Sequence, residues 1–94
     1  MYCHGVGLFT EDPKLQVFSE GGVEKKLSKF NLVFFRNINN RKERHELPFE
    51  IWGTAAEYIV TNYKNGDKIN ILDSIPRILD CQVVFRINDF SKSE

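Results

Sequence analysis

The sequence predicts an all-β domain with one helix: a five-stranded OB-fold Greek-key barrel, its helix between strands 3 and 4. Three observations lead there. The 94 residues read as three extended stretches, one helix and two further extended stretches. Only Thr54–Tyr63 carries helical periodicity. The first extended stretch is long and interrupted, as a strand shared between the two halves of a barrel must be. A flat α+β sheet of the same order is the plainer alternative.

At this length the chain is one domain, assigned to residues 1–90, with a frayed polar end at 91–94. Apolar residues make up 41%, enough for one small core, so self-association is expected to support stability. No apolar run reaches about 18 residues, and no basic segment followed by an apolar one opens the chain, so neither a membrane span nor a signal peptide is expected. Formal net charge is +0. That argues against indiscriminate phosphate binding and turns attention to where charges sit. Cys3 and Cys81 are far apart and read as free, buried thiols of a reducing compartment, cytoplasm or nucleoid, with an organelle left open; a disulfide between the first and last strands is the geometrically possible alternative. His4 and His45 lack partners at metal-ligand spacing, and no nucleophile motif or P-loop occurs. No metal, cofactor or enzymatic activity is expected.

Strand 1 runs through Met1–Phe9, with Gly5 and Gly7 marking a bend. It resumes at Lys14–Phe18 after the Asp12-Pro13 turn. Ser19–Gly22 is a hairpin turn, since paired glycines take positive φ without steric cost. Strand 2 spans about Leu27–Arg36. Phe30, Leu32 and Phe34 point to the core; Lys29, Asn31, Val33 and Phe35 point the other way. Asn37–Glu46 reads as a polar, basic loop before strand 3, Leu47–Trp52. Pro48 places the strand start, or a sheet edge, there. Gly53 ends that strand. Thr54 and Glu57 form a T-x-x-E capping box, Lys64 falls in the last turn and Gly66 suits the helix exit. Strand 4 is Lys68–Asp73, then a short turn through Ser74 and Pro76. Strand 5 is Cys81–Asn88, with Cys81, Val83, Phe85 and Ile87 inward.

Alternation puts Phe49 and Ile51 on one face of strand 3, with Pro48, Glu50 and Trp52 on the other. A carboxylate is rarely buried without a partner. The second face is therefore assigned to water, and Trp52 becomes a stacking surface for a nucleobase. Core packing or a subunit contact is the alternative for Trp52. Phe35 shares its side with Lys29 and Asn31 and is a second stacking candidate. Arg36, Arg41, Lys42 and Arg44 make a basic arm suited to a phosphate backbone, extended by Lys29 and Arg86, with Arg77 a weaker addition. A solvated hairpin explains the same run without a ligand.

The stretch Glu50–Ile71 resembles the bacterial-type single-stranded DNA-binding proteins. The shared features are an aromatic-Gly pair, here Trp52-Gly53, then Ala56, Glu57 and Tyr63 in a helix, then Lys64 and Gly66. Gly7-Leu8-Phe9, Asp12-Pro13 and Gly21-Gly22 fit the family's first strand, turn and hairpin, so the resemblance covers roughly residues 5 to 90. It implies an OB fold, a homo-oligomer (dimer or tetramer) paired through Met1–Phe9, and single-stranded DNA binding without sequence preference, with RNA left open. Those roles lie in replication, recombination or repair. Trp52 stands at one of the family's stacking positions. Two others fall near Glu46 and near Asn39 or Asn40; the long hairpin between strands 4 and 5 is read as cut to Asp73–Asp80; and no acidic, Phe-ended tail is present. These departures suit a reduced member, phage-encoded or organellar, or a primosome-accessory protein of the same fold. The latter would act as a protein-interaction module in a replication assembly and bind nucleic acid weakly.

Overall fold

A computed structural model describes residues 5–93 of the chain; Cys3, His4 and the start of the expected pairing edge lie outside the described residues. Six strands and a helix follow in order: β1 (Gly5–Phe9), β2 (Lys14–Glu20), β3 (Val23–Ile38), β4 (Arg41–Trp52), α1 (Thr54–Asn62), β5 (Lys68–Leu79) and β6 (Gln82–Lys92). The long first strand is there, broken at the Asp12-Pro13 turn into β1 and β2. Both halves pair with β3. Leu8 and Phe9 lie opposite Val33 and Leu32, and Lys14–Glu20 runs opposite Lys29–Val23. The strand order β1-β5-β6-β4-β3 returns to β1 and closes a five-stranded barrel, with β2 flanking β3 outside the ring. The β4–β6 closure is parallel and short, Phe49 beside Phe85 and Glu50 beside Arg86. Because the first strand counts twice, the helix sits between β4 and β5, the place the sequence predicts in a five-strand count.

Two stretches read as loops are strands. Asn37–Glu46 continues the β3–β4 ladder out to Ile38 opposite Arg41. Ser74–Leu79 continues β5, paired with β6 out to Leu79 opposite Gln82. Each hairpin turns on two residues with positive φ: Asn39 and Asn40 at 51° and 64°, Asp80 and Cys81 at 50° and 64°. That is the turn whose twist matches paired strands. Asn tolerates this conformation and Cys does so rarely, so the second turn leaves little trace in composition. Pro76 signals a turn in sequence, yet beyond Leu72 β5 pairs only with β6. On such an edge strand a missing N–H need not break a ladder. The arms stretch the molecule to 53 Å along its longest axis. Cys81, read as buried, is exposed at one hairpin tip. Val83 has the inward parity but is also exposed, because the arm runs past the end of the core. β6 does not stop at Asn88: Phe90, Ser91 and Lys92 pair with Ile71, Asn70 and Ile69.

The core fills the barrel with Phe9, Phe30, Leu32, Phe49, Ile51, Ile69, Ile71, Phe85 and Ile87, and Ala56 and Ile59 of α1, with Tyr63 just after it, close one end. Its aromatic rings are in mutual contact: Phe9 lies 4.9 Å from Phe30 and 5.3 Å from Tyr63, and Phe49 5.6 Å from Phe85. Gly7 is required by packing. A Cβ there would lie 2.9 Å from Leu32 Cδ1 and 3.1 Å from Phe34 Cζ, so β1 approaches β3 closely enough to shut the barrel.

The capping box is not formed. Thr54 is already helical, Gly53 is the N-cap at φ 77°, and no side chain caps the helix. Gly53 N–H instead donates to Lys26 O at 2.9 Å. Glu57, freed of the cap, accepts from Lys26 Nζ and ties α1 to β3. That bond to Glu57, ahead of the charge attraction, raises the Lys26 pKa. On the basic side the tie is lost as pH climbs through that raised value. The helix ends as Tyr63 turns extended, its N–H bonded to Ile59 O. Lys64 Nζ donates to Val60 O, and Gly66, at φ 92°, turns the chain so that its N–H reaches Phe9 O.

Candidate nucleic-acid interface

Strand register decides which side chains share the outer face of the sheet, because directly opposed residues point the same way. On β3 these are Leu27, Lys29, Asn31, Val33, Phe35 and Asn37. Opposite them on β4 lie Trp52, Glu50, Pro48, Glu46, Arg44 and Lys42. β2 adds Lys14, Gln16 and Phe18. β6 adds Arg86 beside Glu50, and β5 adds Ile75 and Arg77. Arg36 and Arg41 have the opposite parity, with Glu43 and His45. The expected basic arm is therefore divided. Lys42 and Arg44 stand on the side of Trp52 and Phe35, and Arg36 and Arg41 on the reverse.

One end of the face is built on Trp52. Phe18 meets the indole edge-on, ring centroids 6.0 Å apart at 79°. The Arg86 guanidinium carbon lies 5.6 Å from the indole centroid. Trp52 is half-buried, and beside it Lys25 and Lys26 help line a surface cleft of about 390 Å³. The water-facing assignment of Glu50 is overturned: its side chain has 0% exposure. It is buried because it is paired. Glu50 Oε2 accepts the Trp52 Nε1–H, and Oε1 accepts from Arg77 Nη1 at 2.8 Å. Trp52 nonetheless lies on the outer face, because the parity argument holds while the exposure argument does not.

The other end is built on Phe35, which is 51% exposed. Lys42 Nζ stands 4.4 Å over its ring. Val6, Leu8, Val33 and Lys68 complete a cleft of about 350 Å³ around the pair. Leu27, opposite Trp52, and Phe35 are eight residue steps apart along β3, about 27 Å at ~3.4 Å per residue. Between them the surface is mixed. Asn31 Nδ2 and Arg44 Nη2 both donate to Glu46, at 3.0 and 3.1 Å. Lys29 is exposed, and no ion pair is seen for it among the described residues.

Phe18 and Lys68 belong to this face and were not legible as site residues; Arg77, read in sequence as a weaker addition to the basic track, instead pairs with Glu50. Phe18 alternates with Gln16, but only the register with β3 says which way it points. Arg77 sits in a segment whose Ser and Pro suggest a turn. No group of His, Cys, Asp and Glu among the described residues is arranged to hold a metal ion, and no helix there is long and apolar enough to cross a membrane.

No family model matches the sequence, and no curated protein matches it either. Solved structures do match. The SSB domain of a Synechococcus sp. protein aligns over 95% of this chain and 91% of its own, at TM-score 0.71 and 16% identity. The single-stranded DNA binding protein of Thermus aquaticus aligns over 99% of this chain at TM-score 0.77 and 16% identity. This chain covers 50% of the Thermus chain. The PriB protein of Ralstonia solanacearum aligns over 99% of this chain and 97% of its own, at TM-score 0.79 and 11% identity.

The chain has the OB fold of these proteins. At such low identity the side chains on the outer face are this chain's own, and an OB barrel carries its oligonucleotides on the face these strands form.

Proposed function

We propose that this OB-fold protein binds single-stranded nucleic acid, DNA first, without sequence preference and without catalysing a reaction. The observation that carries the reading is the outer face itself. A half-buried Trp52 flanked by Phe18 and Arg86 stands at one end, and an exposed Phe35 under Lys42 at the other. Every base offers a π-face, so aromatic platforms with cations beside them hold a strand regardless of its sequence. The span between the two ends fits within the site of one OB domain, roughly 4–16 nucleotides. The SSB structures that share the fold support the same reading. Roles in replication, recombination or repair, a reducing compartment such as cytoplasm or nucleoid, and self-association belong to the same proposal. β2 pairs on one side only, leaving an edge for a second copy.

The division of the basic arm sets the test. Lys42→Ala with Arg44→Ala is expected to weaken binding of an unstructured oligonucleotide and make its salt dependence shallower, by about 0.7 for each phosphate no longer neutralised. Arg36→Ala with Arg41→Ala, two positive charges removed from the reverse side, is expected to change the affinity far less. Filter or mobility titrations over a range of salt read both. Equal losses from the two pairs would mean that charge total, not this face, governs binding.

A second reading, a protein-interaction module, is favoured by the β5–β6 arm and by the likeness to PriB. Ile78 is 78% exposed and Val83 45%, side by side on one face of the arm. Apolar surface held out from the barrel in this way suits a protein partner. Under that reading Ile78→Ser with Val83→Ser abolishes partner binding and leaves oligonucleotide affinity intact.

A further inference from the structure

We infer that Glu50 is a positioning residue for nucleic-acid binding: its buried carboxylate locks the Trp52 indole and the β5–β6 arm into one arrangement. The inference rests on the stacking role proposed for Trp52. Glu50 is the one charged side chain among the fully buried residues described, and it lies on the outer face and not in the barrel core. Its two oxygens are used separately. Oε2 takes the indole N–H from two residues along its own strand, and Oε1 takes the Arg77 guanidinium from the base of the β5–β6 arm. The flanking register positions on β3 and β6 hold Lys29 and Arg86, but the ion pair of the carboxylate is with Arg77.

An aliphatic residue at position 50 would bury as well but hold nothing. A carboxylate is acceptor-only and has an oxygen for each donor. The indole otherwise meets Phe18 in a T-shaped contact and Arg86 over its ring, and neither makes a directional bond to its N–H. The bond from Nε1 to Glu50 supplies that restraint. An ordered platform binds more tightly than a mobile one, because the side-chain entropy is lost before the ligand arrives. A glutamine at position 50 has one acceptor and one donor end. It therefore satisfies only one of the two N–H groups and turns its own N–H₂ toward the other.

The experiment is a cycle of Glu50→Gln and Trp52→Ala in the full chain. Affinity for a fluorescently end-labelled oligothymidylate is measured, together with acrylamide quenching of Trp52 in the absence of DNA. E50Q is expected to bind about tenfold more weakly than wild type, the order of one charge-assisted hydrogen bond. In the W52A background the same change is expected to alter affinity less than twofold. Without DNA, E50Q is expected to raise the quenching constant of Trp52. A loss of the same size in both backgrounds, or unchanged quenching, overturns the inference. If E50Q fails to fold, Glu50→Met with Arg77→Met removes both charges together and is read by the same two arms. Failure of the wild-type chain to bind the oligonucleotide refutes the function proposed above. The quenching arm still decides whether Glu50 holds the indole.

Discussion

Trp52→Ala is expected to weaken binding of a single-stranded oligonucleotide by about 1–3 kcal/mol, roughly five- to 150-fold, as loss of one base stack does. The fold should survive. Trp52 is half-buried at the outer end of β4, while the barrel is filled from the opposite face by Phe49 and Ile51. Circular dichroism should therefore change little while affinity falls; the melting temperature should drop by several degrees, because the buried Glu50 Oε2 loses the indole N–H that it accepts. Phe18 is expected to recover some of the loss, because removing the indole uncovers its ring, which already lies on the same face. The distinctive outcome is a nearly unchanged salt slope. Trp52 contacts no phosphate under this account, so stacking and electrostatics separate cleanly in the titration. A fall in affinity accompanied by a shallower slope would place the backbone, not a base, at the indole.

Arg77→Met should cost stability more than any other surface substitution. Glu50 is fully buried, and Arg77 is the side chain that pairs its charge. Removing one partner of a buried ion pair leaves the other uncompensated, at roughly 3–5 kcal/mol. The lower end is expected here, because the Arg77 side chain keeps 31% of its exposure. For a domain of this size each 1 kcal/mol moves the melting temperature by about 4–8 °C, so a drop on the order of 12 °C is anticipated. Replacing both residues, Glu50→Met with Arg77→Met, is expected to recover most of it, since no unpaired charge is left behind. Thermal melts of the single and double variants decide the point. A double variant as unstable as Arg77→Met alone would show that shape, and not charge pairing, carries the contribution.

How far the sequence reaches is clear from these same residues. The barrel was legible because its signals are local. Gly21-Gly22 turns, Phe30 and Leu32 alternate inward, and Ala56, Ile59 and Tyr63 recur at helical spacing. Each finds its expected place in the core or at a turn. The outer face of β3 and β4 was legible too, since a period of two needs no partner to be read. What failed depended on contacts distant in sequence. Glu50 looked solvent-facing because its partner, Arg77, comes 27 residues later, in a segment where Pro76 hides an edge strand. The basic arm looked like one surface because it was taken for a loop. Once it is a hairpin, alternation sends Arg36 and Arg41 to the reverse of Lys42 and Arg44. Phe18 has no face that sequence alone can assign, for the same reason: the face of an edge strand follows from its neighbour's register.

The central claim is that Trp52 stacks on bases of a single strand, and its own fluorescence tests this most directly. Trp52 is the one tryptophan in the chain, so emission reports on that position and nowhere else. Titration with an unstructured oligonucleotide at low salt is expected to quench it saturably, with the same midpoint as a mobility shift of the complex. Duplex of matched length is expected to leave it nearly unchanged, its bases being stacked already. Emission that stays constant while the single strand is added to excess, with no mobility shift, would contradict the claim.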